Sequence, residues 1–201
     1  MKNNLKEALK RQSFFYLFII ILSILLPSFT LNYISKPKKE RLFTAFISSY
    51  TTDREKIDGI FENNKPDYVN KIIINLFSND DPNFNIYYSS FGLKHSDLII
   101  IPESRINNPD IVTYYSSLSK NIIDKYDFSN FYTINDACYG IKLNNGNNDI
   151  DDLLTLSKED MEEENYYMFL NKNSYHIGEL GKSKSEAVFS YMALLMNYEK
   201  E

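Results

Sequence analysis

The stretch "SDLIIIPES" (Ser96–Ser104) decides how this chain is read. Four apolar residues, Leu98–Ile101, stand between an aspartate and a proline. A short isoleucine-rich run without polar alternation, ended by a residue that cannot donate to a ladder, predicts a strand covered on both faces. Such strands belong to parallel sheets flanked by helices. Two upstream stretches share the pattern, "LFTAFI" (Leu42–Ile47) and "KIIINLF" (Lys71–Phe77).

Helical spacing fills the intervals. After the first strand, Ile57, Ile60 and Phe61 share one helical face, and Thr52 and Glu55 have capping-box spacing. After the second, Phe84, Tyr87, Tyr88 and Phe91 form a stripe that Gly92 is suited to end in the left-handed conformation. After the third, Asn108 is placed to cap and Pro109 to start a helix with a stripe of Ile111, Tyr114, Tyr115 and Leu118. Strands alternating with amphipathic helices predict an α/β fold, a mostly parallel sheet with helices on both faces.

The later chain is less regular. "FYTINDACYGIKL" (Phe131–Leu143) reads as a hairpin about Asn135-Asp136, and the polar loop "NNGNND" (Asn144–Asp149) follows. "NYYMFLN" (Asn165–Asn171) supplies a fourth strand. A closing helix gathers Ala187, Val188, Tyr191, Leu194, Leu195 and Tyr198 on one face, with Ser183 and Glu186 at capping-box spacing. Cys138, the single cysteine, lies inside the apolar hairpin and reads as a core residue.

At the other end, "SFFYLFIIILSILLPSFTLNYI" (Ser13–Ile34) has the length and composition of a membrane-spanning helix. A cleaved signal peptide is the rival reading, and no small-x-small cleavage site favours it. The expected organisation is a cytoplasmic segment at 1–12, an anchor at 13–34, a linker at 35–41 and a domain at 42–201. Lysines and arginine on both sides of the span nearly balance the positive-inside rule. The acidic body then points outside the cell, with the chain held in the membrane by a single pass. Of the net charge of −5, residues 1–35 carry +3, which leaves −8 on the rest. That balance argues against nucleic acid as a partner.

Chemistry-bearing motifs are scarce. His95 and His176 belong to no metal-ligand spacing, and no phosphate-binding glycine loop occurs. Ser96, His95 and Asp97 are adjacent, which is poor geometry for a catalytic triad, and no nucleophile elbow is present. The acidic run Glu162–Glu164 lacks the oxygen spacing of a calcium loop. The residues imply a non-enzyme without cofactor or metal.

Three stretches, "SDLIIIPES", "FYTINDACYGIKL" and "YYMFLNKNSYHIGEL" (Tyr166–Leu180), resemble in kind and order the extracellular solute-binding proteins of bacterial ABC importers. The resemblance implies a strand and loop near a ligand cleft at Asp97–Pro102, an exit hairpin at Asn135–Lys142 and a return strand at Tyr166–Ser174. The family pattern has glycine where Asp136 stands and proline where Lys142 stands. It also inserts a whole second lobe where this chain has only the residues between Leu143 and Tyr166, too few for a compact domain. The resemblance thus implies a single-lobe, periplasmic-binding-protein-like module behind a transmembrane helix. Its weak ligand site would lie at the carboxyl ends of the parallel strands, at Ser48, Ser49, Tyr50 and Thr51, beside a helix N-terminus that favours an anionic group, and at Glu103 and Ser104. The implied partners are the membrane, a small solute, and an ABC permease or partner lobe. A protein-interaction scaffold and a degenerate binding protein are the alternatives.

The orientation is testable in cells. Alkaline phosphatase fused after Glu201 is expected to be active and a fluorescent protein at the same point dark; the reverse pattern contradicts export of the body.

Overall fold

The computed structural model describes residues 12–13, 15–23, 41–144, 149–150, 153–155, 164–176 and 186–199. The chain divides into two compact units, Met1–Lys38 and Lys39–Glu201.

The first unit is helical at 12–13 and 15–23. The apolar side chains from Phe15 to Leu22 are all exposed, and Ser23 Oγ donates to the Ile19 carbonyl at 2.7 Å. Among the described residues no helix is long and apolar enough to cross a membrane. The outer part of the expected span, 24–34, and most of the expected linker lie outside the described residues.

The second unit is built on a six-stranded sheet in the order β3-β1-β4-β8-β6-β5. Its strands are β1 (Leu42–Ser49), β3 (Lys71–Ser78), β4 (Leu98–Pro102), β5 (Phe131–Ile134), β6 (Ala137–Lys142) and β8 (Tyr166–Leu170). A separate antiparallel pair joins β2 (Thr51–Thr52) to β7 (Leu154–Thr155). The three apolar strands are neighbours running the same way: β1 is flanked by β3 and β4, parallel to both.

The expectation of a mostly parallel sheet is corrected to a mixed one. β8 runs antiparallel to β4, and β6 antiparallel to β8. β5 is antiparallel to β6 for a local reason: Asn135 (φ 50°) and Asp136 (φ 62°) form a two-residue turn that can join them only as antiparallel strands.

Alternation along β1 sends its side chains into two cores. Phe43, Ala45 and Ile47 join Leu98, Ile100, Met168 and Leu170 on one face. There α1 (Arg54–Asn63) contributes Ile57 and Phe61, and α6 (Ala187–Met196) contributes Val188, Tyr191, Met192 and Leu195. On the other face Phe46, Ile99, Ile101 and Phe169 meet Phe84, Tyr88, Ile111 and Tyr115. These last residues come from α2 (Phe84–Tyr87), the turn after it, α4 (Asn108–Tyr114) and the residue following α4. Ile150, Leu153 and Leu154, between hairpin and return strand, are buried in the first core.

Helix ends depart from expectation in three places. Asp53, not a Thr52–Glu55 box, caps α1: its carboxylate accepts from the Lys56 N–H at 3.1 Å, while Thr52 is paired with Leu154 in β2. Gly92 does not end its helix. The backbone passes through a π-helical turn (Tyr88–Gly92) into α3 (Leu93–His95), and Gly92 keeps helical dihedrals. A Cβ there would stand 3.1 Å from Tyr88 and 3.4 Å from Phe46, so a side chain would have to displace the Tyr88 ring by a few tenths of an ångström. The third helix is capped at Asn107, which moves Asn108 and Pro109 inside it. A further helix, α5 (Lys120–Tyr126), was not expected. Ser183 lies outside the described residues, and Glu186 precedes α6 without a side-chain cap.

Two glycines give opposite expectations. Gly140 faces Phe169, and a Cβ at Gly140 would fall 2.5 Å from that ring, which is buried and stacked on Tyr115 at 4.7 Å. Gly140→Ala should therefore lower stability by about 1–3 kcal/mol. Gly59, inside α1, has nothing within 4 Å of a Cβ. Gly59→Ala should raise stability by about 0.5–1 kcal/mol. Urea unfolding of both variants checks the signs.

Candidate functional site

Asp97 organises the amino end of the sheet. It precedes β4, and its N–H donates to the Thr44 carbonyl at 2.7 Å while the Thr44 N–H donates to Asp97 Oδ2 at 2.8 Å. Ser174 Oγ donates to Asp97 Oδ1 at 2.7 Å and accepts the His176 N–H at 2.9 Å. The Asn171 N–H donates to the Asp97 carbonyl at 3.1 Å, and Asn171 Nδ2 donates to the Leu93 carbonyl at 2.8 Å. His176 is fully buried, with Nε2 3.0 Å from the Leu42 carbonyl and its ring 5.7 Å from Phe43. Burial pushes the Asp97 carboxyl above the usual carboxylate range. The charge of His176 and the donors from Ser174, Thr44 and Tyr175 oppose that shift.

Beside this cluster a groove of about 610 Å³ opens on the face carrying the second core. Its floor is Leu42, Thr44, Ile73 and Asn75, and Phe91 and Tyr175 supply aromatic wall. Lys94, His95 and Asn173 bring polar groups to its rim, and Lys94 and His95 are exposed. Thr44 and Asn75 are polar residues in otherwise apolar strands. That interruption was the one signal in the sequence that could have located the groove. No hydrogen bond joins His95 to Asp97 among the described residues.

The residues expected at a ligand site sit at the opposite, carboxyl end of the parallel strands. The fold engages their groups with other residues of the same end. Ser48, fully buried, donates to Asn79 Oδ1, and Asn79 Nδ2 donates to the Tyr166 hydroxyl. The Ser49 carbonyl accepts the Asn79 N–H at 3.0 Å. Arg105 donates to the Asn79 carbonyl at 2.8 Å and lies 4.9 Å from the centre of the Phe84 ring. Glu103 Oε2 accepts from Asn165 Nδ2 at 2.7 Å, and the Ser104 N–H donates to Glu164 at 2.9 Å. Tyr50 is half-buried, and the Thr51 backbone pairs with Thr155. The α1 N-terminus, expected to favour an anion, already holds one in Asp53, whose carboxyl is lowered by the Lys56 N–H.

Two buried phenols, Tyr88 and Tyr115, share a hydrogen bond inside the second core. Burial pushes Tyr88 up to about 12 and Tyr115 well above the ordinary phenol value, so both stay protonated at neutral pH. Of the acidic run, Glu162 and Glu163 lie outside the described residues. Cys138 is a free thiol, half-buried against the first core.

Comparison with protein-family profiles, with curated proteins and with solved structures returns no match.

Asp97→Ala orphans the buried donors that its carboxylate satisfies and should cost about 2–4 kcal/mol. The pH dependence follows from the raised carboxyl. The folded chain holds this proton at a pH where the unfolded chain has lost it, so Asp97's contribution falls as pH rises through the interval. The cost of Asp97→Ala should therefore be larger near about pH 4 than near pH 7. Denaturant titrations across that range measure it; a cost that grows with pH contradicts the assignment.

Proposed function

We propose that this chain is a membrane-anchored, single-lobe relative of the extracellular solute-binding proteins, acting outside the cell as a binding or accessory component of an ABC-type importer. The observation that carries this reading is the contact between two of the resembling stretches. Asp97 of "SDLIIIPES" is held by Ser174 and accepts from Asn171, both in "YYMFLNKNSYHIGEL". The stretches that resemble the family in order therefore also meet in space, and a groove opens beside their junction. The membrane part of the reading is supported by the exposed apolar face of 15–22, where lipid is the natural cover, and by Ser23, whose hydroxyl is satisfied within its own helix.

The groove at the amino end of the strands has room for a solute. A floor that mixes Leu42 and Ile73 with Thr44 and Asn75, with Lys94 and Asn173 around it, suits a small molecule with an apolar body and an anionic or hydrogen-bonding head. With one lobe the solute is bound on one side only, so affinity is modest.

A second reading, a protein-interaction scaffold, is favoured by Phe91 and Ile86, which are 43% and 62% exposed on the segment that covers the second core.

Melting-temperature titrations of the full chain with amino acids, short peptides, sugars and polyamines separate the two readings. A bound solute at about 100 times its Kd stabilises by about 2.7 kcal/mol. The solute reading expects one class to raise the melting temperature and Lys94→Ala to weaken that response at least several-fold. No shift from any class removes solute binding and leaves the scaffold reading.

A further inference from the structure

β3 is the outermost strand of the sheet and pairs with β1 on one side only. Among the described residues nothing pairs with its outer edge. It is 8 residues long, unbroken in register and free of proline, and its one charge is Lys71 at the first position. Edge strands that stay single are commonly shortened, bent or charged along their length. Ile72, Ile73, Leu76 and Phe77 are each partly exposed. On the face of the second core the edge continues into an aromatic ladder, with Phe77 4.7 Å from Tyr87 and 5.8 Å from Phe91 between ring centres.

We propose that this edge pairs with β3 of a second copy of the chain, forming a two-fold dimer with one continuous sheet. Two copies of one edge related by a two-fold axis run antiparallel, and an axis along the sheet normal keeps like faces together. Directly opposite residues share a face, so the axis must pass through a residue. Centred on Asn75, the pairing sets Ile74 against the partner's Leu76 and Ile73 against the partner's Phe77, apolar against apolar in each case. Asn75 meets its own copy, and an amide can both donate and accept.

Charge does not oppose a second copy. Beside the edge, Arg54 pairs with Asp58 and Glu62 with Lys65 along α1, so the charges balance and two like edges meet without net repulsion. The same operation brings the partner's Phe77 beside Ile73, a residue of the groove floor. The second copy thereby supplies wall on the side where a single lobe has none. The pairing stands without the solute reading, since its readout is mass and cross-linking rather than ligand response.

The test uses the full chain. Light scattering should give twice the 23.6 kDa chain mass. In a Cys138→Ser background, Asn75→Cys should cross-link to a dimer on oxidation, because opposed Cβ atoms lie about 4.5–5.5 Å apart. Ile72→Cys should not, since its two copies would be separated by six residues, about 20 Å along the strand. A monomer at about 100 μM, far above the concentration of a stable dimer's Kd, overturns the proposal and leaves the edge open to a peptide of another protein. A dimer that cross-links at Ile72→Cys as readily as at Asn75→Cys, or at neither, also overturns it. Light scattering on the unaltered chain keeps the outcome independent of how the cysteine variants fold.

Discussion

The carboxylate of Asp97 sits where the parallel and antiparallel halves of the sheet meet, and it is nearly buried. β1 and β4 run the same way, and β8 comes back against β4. The amino end of that junction is where backbone groups would run out of partners. Asp97 supplies them: its carboxylate takes the Thr44 N–H from β1 and the Ser174 hydroxyl from the segment after β8, while its carbonyl takes the Asn171 N–H. A hydrogen bond contributes about 0.5–1.5 kcal/mol net, and a buried donor left without a partner costs about 1–3 kcal/mol. The desolvation that raises the Asp97 carboxyl is the cost of placing this acceptor inside.

From that junction the two ends of the sheet take different characters. At the carboxyl end, Ser48, Asn79, Tyr166 and Arg105 tie the strand ends together with polar groups that satisfy one another. At the amino end, α2, the π-helical turn and α3 stop at His95, and Thr44, Ile73 and Asn75 remain beneath a groove. Open α/β sheets usually bind ligands at the carboxyl ends of their strands. Here the described polar groups at those ends are engaged by neighbours, and a groove lies at the other end.

Much of the fold was legible because its signals are short-range. The runs at Leu42–Ile47 and Leu98–Ile101 are the covered strands their apolar composition predicts, Lys71–Phe77 is a strand but an edge one with only Ile74 buried, and the turn at Asn135-Asp136 carries the positive φ its residues tolerate. The direction of β8 against β4 was not legible, because its antiparallel return depends on a chain path that no local pattern encodes. α5 escaped because seven residues span only about two turns. The capping residues were displaced by one position where two candidates adjoin, as with Asn107 and Asn108. The groove depends on which strand face a helix leaves uncovered, a tertiary fact that Thr44 and Asn75 only hint at. His176 illustrates the same limit: in sequence it is an isolated histidine, and in the fold it lies wholly buried against Phe43 and the Asp97 cluster.

Native-state hydrogen exchange of the full chain tests most directly whether Asp97 joins both halves of the sheet into one cooperative unit. The amides of Thr44, Asp97 and Asn171 should exchange only through global unfolding, with the same free energy as Ile99–Ile101 in β4. Exchange of β5, β6 and β8 as a separate unit of lower free energy, with Thr44 and Asp97 opening alongside it while β4 stays protected, would contradict the account.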